Sequence, residues 1–190
     1  MFLPGRVIRL LTRPGAEWAA IAAEPDNVAS ICQGYVAILA LVPAASTLAG
    51  IIVAGGRFLG AAGLMTAIIA AIVSWAMAIG SSIACASIIE KIAPAFESDG
   101  DLTQAFKLVG YAQTPAWLVG ALFLFGPSEP IAIVGEIWAV YLGFRGLPTV
   151  MKTPRPRVAP FLGAATLAFL LVSAVLRALF AAFKVPYLSY

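Results

Sequence analysis

From Phe58 to Ile89 the chain carries no charged side chain. As a helix rising about 1.5 Å per residue, that run extends about 48 Å, while a bilayer's hydrocarbon core is about 30 Å thick. Four other stretches are similar. Val28 to Gly56 and Leu108 to Ser128 are also uncharged. Pro130 to Phe144 is interrupted only by Glu136, and a helix there can run on to Pro148. Val158 to Phe183 is interrupted only by Arg177. This spacing predicts an all-α polytopic membrane protein, a bundle of five transmembrane helices at roughly 29–53, 61–89, 107–126, 130–148 and 159–183. Residues 1–28 read as a cytoplasmic or interfacial amphipathic segment, and 29–190 as the five-helix transmembrane domain.

Composition excludes the alternatives. Hydrophobic residues are 62% of the chain and charged residues 11%, where soluble domains run near half and a quarter. So few charges cannot cover a water-facing surface, and so much apolar surface does not stay disordered. There is no His and only two Cys, which argues against a zinc site with nitrogen and sulfur ligands. No cofactor or metal is expected. A net charge of +3, scattered along the chain, does not suit nucleic acid. Cys32 and Cys85 read as buried free thiols near one end of their spans.

The second stretch exceeds a perpendicular span, so it either tilts or gives Phe58 to Gly63 to a turn, which Gly55, Gly56, Gly60 and Gly63 favour. The breaker cluster Gly126-Pro127-Ser128-Glu129-Pro130 makes spans three and four an antiparallel hairpin. Arg6, Arg9 and Arg13 share one side of the membrane with Lys91 and Lys107, and with Arg145, Lys152, Arg155 and Arg157. The other side has only Arg57 and Lys184. The excess of Lys and Arg stays inside the cell, so the N-terminus is expected in the cytoplasm and the C-terminus outside. The first apolar run starts too late and runs too long for a cleaved secretory signal, so Met1 is expected to remain. Phe2 to Arg13 mixes apolar residues with three Arg, which suits either an amphipathic helix on the anionic leaflet or a plain topogenic flank. Arg6, Arg9, Arg13, Lys152, Arg155 and Arg157 read as membrane-surface charge.

Several strings carry a family likeness. The chain has Leu11-Thr12-Arg13-Pro14, then Glu17-Trp18 and Glu24-Pro25. Later come Gly110-Tyr111-Ala112-Gln113-Thr114-Pro115-Ala116-Trp117 and Gly146-Leu147-Pro148-Thr149-Val150-Met151-Lys152. In these strings the sequence resembles the bacterial branch of the Yip family (Ypt-interacting-protein, "Yip-one" domain). The resemblance covers nearly the whole chain and is strongest from Asp101 to Pro154. It implies five spans, a cytoplasmic N-terminus and residence in the bacterial inner membrane as a multi-pass protein. Eukaryotic relatives bind Rab-type GTPases in vesicle traffic. That role is not carried over, because their long N-terminal region and acidic Asp-Leu-Tyr-Gly-Pro-type element are missing from this sequence.

Two places invite chemistry. Glu136 and Arg177 are ionisable groups within spans, a functional hypothesis by default. Glu136 lies about 9 Å below the outer surface at helical rise, and Arg177 lies at a similar depth. They are expected to pair, either as a gate or ion-coupling site or as a structural ion pair; Arg177 can also snorkel to headgroups. Tyr111, Gln113, Thr114 and Pro115 form the second place. Pro115 frees a carbonyl inside span three, giving either a polar path at a broken helix or a packed kink satisfied by Ser or Thr. Pro43 in span one reads the same way. Span two carries a ridge of small residues, including Ala70, Ser74, Ala78 and Ser82, for close packing inside the chain or for a homodimer face. Asp101 suits a helix N-cap through Thr103 or Gln104.

No catalytic arrangement is present in the sequence, so an enzyme is not expected. Two functions follow. One is a membrane-organising or adaptor protein with membrane lipid, a homo-oligomer or a cytoplasmic protein as partner. The other is a small transporter or channel for an ion or small polar solute. A polar cavity reaching Tyr111, Gln113 or Glu136 would favour the second.

Overall fold

The computed structural model describes residues 3–55, 60–125 and 129–182. Among the described residues there is helix and no strand. Five helical stretches are long and apolar enough to cross a membrane: Val28–Val53, Gly60–Phe96, Leu102–Phe125, Pro130–Val150 and Arg155–Ala182. Two short helices precede them, α1 (Leu3–Thr12) and α2 (Pro14–Ala23). The first span consists of α3 (Val28–Ile31), a π-helical turn at Cys32–Val36 and α4 (Ala37–Gly55). The second is α5 (Gly60–Ile92), ending in a 3-10 turn at Ala93–Phe96. The third is α6 (Leu102–Ala112), α7 (Thr114–Val119) and a 3-10 segment at Gly120–Phe125. The last two are α8 (Glu129–Val150) and α9 (Arg155–Ala182).

Local chemistry sets the boundaries. The Asn27 side chain accepts from the Ser30 amide at 2.8 Å, and the Ser30 hydroxyl accepts from the Asn27 amide at 3.1 Å. This reciprocal cap satisfies two amides that helix geometry leaves unpaired. Asp101 caps α6, accepting from Thr103 and Gln104 at 3.2 and 3.3 Å. The helix therefore starts at Leu102, as the expected cap implies, and runs on into the apolar span placed from 107. Hydropathy misses these first turns because Thr103, Gln104 and Lys107 are polar.

Gly60 adopts a left-handed φ of +58° and starts α5. Gly60 and Gly63 are thus helical, and the turn expected over Phe58 to Gly63 gives way to a helix of 33 residues. At about 50 Å, it is longer than the hydrocarbon core of a bilayer is thick. Gly56, Arg57, Gly126, Pro127, Ser128 and Lys184, on which parts of the loop and orientation reasoning rest, lie outside the described residues.

The third span is the centre of the bundle. Its most apolar window is 56% buried, against 22–33% for the other four. α5 packs on α4, α6 and α9, while α8 packs on α6, α7 and α9. The pairing of α7 with α8 brings the third and fourth spans side by side, as a hairpin requires. Small side chains permit this closeness. Ala70, Ser74 and Ser82 are buried on α5, and Ala78 packs against the core. Ser81 and Ser82 donate their hydroxyls to the Ala78 carbonyl at 3.0 and 2.8 Å, which keeps both polar groups satisfied in an apolar setting. At Gly120, a Cβ would collide with the ring of Pro43, so α4 and the end of the third span meet nearly backbone to backbone.

Candidate functional site

The end of the bundle that gathers the basic loops is closed by α1 and α2. α1 places Arg6 and Leu10 on one face, four residues apart, and both are buried. Arg6 is only 5% exposed. The sequence assigned it to the membrane surface, and burial corrects that assignment. Its guanidinium donates to the Tyr111 hydroxyl at 2.8 Å, pairs with Glu24, and lies 3.5 Å from Glu17. Arg9 donates to both oxygens of Glu17, at 2.6 and 3.2 Å. Glu17 is itself buried, and the ammonium of buried Lys107 donates to the Glu24 backbone carbonyl at 2.6 Å. A buried charge is tolerated when it is paired and hydrogen-bonded; Arg6 and Glu17 meet both conditions, and Lys107 is hydrogen-bonded. Arg13 is exposed.

The electrostatics match the contacts. The hydrogen bond from Arg6 holds the Glu24 carboxyl below its usual range. Burial alone would lower the Arg6 pKa, but the hydrogen bonds to Glu24 and Tyr111 more than offset it and raise the value. The hydrogen bond to Glu17 likewise raises that of Arg9. α2 is pressed onto α8 beside this network. Trp18 is fully buried, and a Cβ at Gly146 would come within 2.8 Å of its indole.

The network continues into the helix break. Pro115 has no N–H for the carbonyl of Tyr111, four residues earlier. The Thr114 hydroxyl donates to that carbonyl at 2.7 Å. Because its single proton is used there, the Tyr35 hydroxyl donates to Thr114 Oγ1, also at 2.7 Å. The rings of Tyr35 and Tyr111 lie 4.3 Å apart. Sequence reasoning singled out Tyr111 and Thr114 but missed Tyr35, Glu17 and Glu24 as partners. The π-helical turn that aims Tyr35 inward has no signature in hydropathy.

Beside this network, two loops are clasped together. Lys152 pairs with Asp99 at 2.7 Å and Arg157 with Glu97 at 2.8 Å. The Asp99 amide donates to the Met151 carbonyl at 2.9 Å, and Ser98 donates to Thr153 Oγ1 at 2.9 Å. Glu97 and Lys152 both adopt left-handed φ, of +58° and +53°. Lys152 and Arg157 stay exposed while paired, and Arg155 is exposed.

Between the spans lies a cavity of about 780 Å³ with mainly apolar walls. All five spans line it. Its lining is buried at Cys85, Ile89 and Leu108, towards the clasped end, and exposed at Glu136, Leu170 and Arg177, towards the other. It is therefore blind at the basic end. Gln113, Glu136 and Arg177 share this cavity, whereas Tyr111 lies on a separate, smaller cavity of about 180 Å³ with Arg6 and Glu24. Glu136 and Arg177 both line the cavity, but among the described residues no ion pair or hydrogen bond joins them. Among the described residues, no group of His, Cys, Asp and Glu is arranged to hold a metal ion.

Five apolar helices exposed along their length, with most charges gathered at one end, are solvated by lipid, so this is a multi-pass helical membrane protein. The Yip1 domain matches residues 8–176, and the chain belongs to that family. That family is not a known enzyme family. Comparison with curated proteins and with solved structures gives no match.

Proposed function

We propose that this protein is a non-enzymatic membrane-organising or adaptor protein of the bacterial inner membrane. Its basic end faces the cytoplasm and its C-terminus lies outside. The blind cavity carries this reading. At the basic end the space between the spans is filled by buried Trp18, Phe106, Leu142 and Leu147, and by the Arg6 network. A cavity closed at one end holds a ligand, and a conduit is open at both. The clasped loops and docked helices give the cytoplasmic side a fixed shape to offer a protein partner, while membrane lipid is the partner on the apolar side.

Transport is the second reading, favoured by one observation: the cavity reaches both Gln113 and Glu136. In that reading Glu136 and Arg177 form the gate, and the plug at the basic end opens.

The two readings separate in sealed proteoliposomes. The organising reading expects ion and small-solute release no faster than from protein-free vesicles, and a reporter fused after Tyr190 on the outer face of cells. Protein-dependent release that is lost in Glu136→Gln establishes transport instead. An intracellular reporter overturns the orientation.

A further inference from the structure

We propose that the blind cavity is a binding site for one phospholipid bearing a primary ammonium headgroup, of the phosphatidylethanolamine class, taken from the leaflet opposite the basic end. The inference rests on the organising reading above and names its lipid. Size is the first argument. About 780 Å³ lies within the roughly 300–1,000 Å³ of sites that enclose a small ligand, enough for much of one acyl chain. Wall chemistry is the second. The buried part of the lining is mainly apolar, including Ala40, Cys85, Ile89 and Leu108, and its buried Ser81 and Ser82 spend their hydroxyl protons on the Ala78 carbonyl, so it suits hydrocarbon.

Charge at the mouth is the third argument and selects the headgroup. Glu136 lies in the first half of α8 and Arg177 in the second half of α9, so both stand towards the end of the bundle opposite the basic loops. Two opposite charges held there without direct contact leave room for a ligand carrying the reverse pair. A phosphate accepts from the Arg177 guanidinium, and a primary ammonium donates to the Glu136 carboxylate. A choline headgroup has no N–H to donate. A glycerol headgroup brings no cation and leaves Glu136 opposite a net negative lipid. α9 allows entry: its buried residues are Val158, Phe161, Ala165 and Ala168, with none later in the helix.

The test is lipid retention by the purified protein in detergent, read by native mass spectrometry after exchange against phosphatidylethanolamine, phosphatidylcholine or phosphatidylglycerol with identical chains. The wild type is expected to retain phosphatidylethanolamine at least tenfold over phosphatidylcholine. Glu136→Gln should collapse that ratio towards one. Arg177→Gln should weaken all three lipids, and Ala174→Trp, at the exposed mouth, should do the same by filling space. Soluble glycerophosphoethanolamine should not compete, because the chain supplies the burial. Equal retention of the three lipids by the wild type overturns the proposal without reliance on any variant's folding, and so does a preference that survives Glu136→Gln. If the preference is missing while proteoliposomes stay tight, only the lipid assignment falls. If solute passes, the organising reading falls with it.

Discussion

The two ends of this bundle treat charge in opposite ways. At the basic end, Arg6, Glu17 and Lys107 are buried, and each is satisfied by a named partner: Tyr111 and Glu24, Arg9, and the Glu24 carbonyl. At the other end, Glu136 and Arg177 are exposed on the mouth of a cavity and hydrogen-bonded to nothing among the described residues. One set of charges fixes two helices to the bundle. The other is left available, which is what binding requires and stability does not. The contrast separates charges that hold helices together from charges that stand at a cavity mouth, where lipid recognition is proposed.

Arg6→Ala should break that contrast most strongly. It leaves Glu24 and the Tyr111 hydroxyl without their buried cation, and losses of this kind cost about 3–5 kcal/mol. A large fall in melting temperature in detergent is expected, together with proteolysis between α2 and α3. An unchanged melt would remove the network as an anchor.

Thr114→Val comes next. It keeps the shape but leaves the Tyr111 carbonyl and the Tyr35 hydroxyl unpaired, for about 1 kcal/mol by the scale of hydrogen bonds between transmembrane helices. Chemical unfolding in mixed micelles measures it, and a neutral result would mean that the kink has found another donor.

Acid should act more gently on the same end. Glu24 is held below its ordinary value of 4.5, so the folded form binds its proton less readily than the unfolded form. Its contribution is therefore complete above about pH 4.5 and fades as pH falls through the lowered value. Protection of the α1 amides, corrected for the intrinsic pH dependence of exchange, should fall below about pH 4 and stay flat from about 5 to 7, and a loss of protection confined to that neutral range would contradict the linkage. Because Glu24 is about a third exposed, solvent screening keeps the effect below that of Arg6→Ala.

The smallest expected effect sharpens the comparison from the other side. Glu136→Gln removes a charge that no hydrogen bond holds, so thermal stability in detergent should shift by less than about 0.5 kcal/mol. A loss comparable to that of Arg6→Ala would show that the cavity mouth is structural after all.

The fold was legible in the sequence because lipid is an unforgiving solvent. A chain without charge from Phe58 to Ile89 has few other places to go, and the five spans follow from the same pattern. Asp101 was legible as a cap because N-capping is local chemistry read three residues ahead. The anchoring network was not. Arg6 and Lys107 look like topogenic charges in one dimension, since nothing in the sequence shows that Glu17 and Glu24 fold back onto them. The π turn before α4, which carries Tyr35 to Thr114, left no hydropathic trace. The Gly-Tyr-Ala-Gln-Thr-Pro and Gly-Leu-Pro strings held a usable signal. Their polar and small residues supply the kink's hydroxyl at Thr114 and the gap at Gly146 that admits Trp18.

Sequence alone determined that the chain folds into five helices long and apolar enough to cross a membrane, because burial of apolar length in lipid depends on composition along the chain and on nothing distant from it. Only the tertiary structure decided which charges are spent on holding the protein together and which remain at a cavity mouth. That choice depends on which side chains from remote segments meet in a low-dielectric interior.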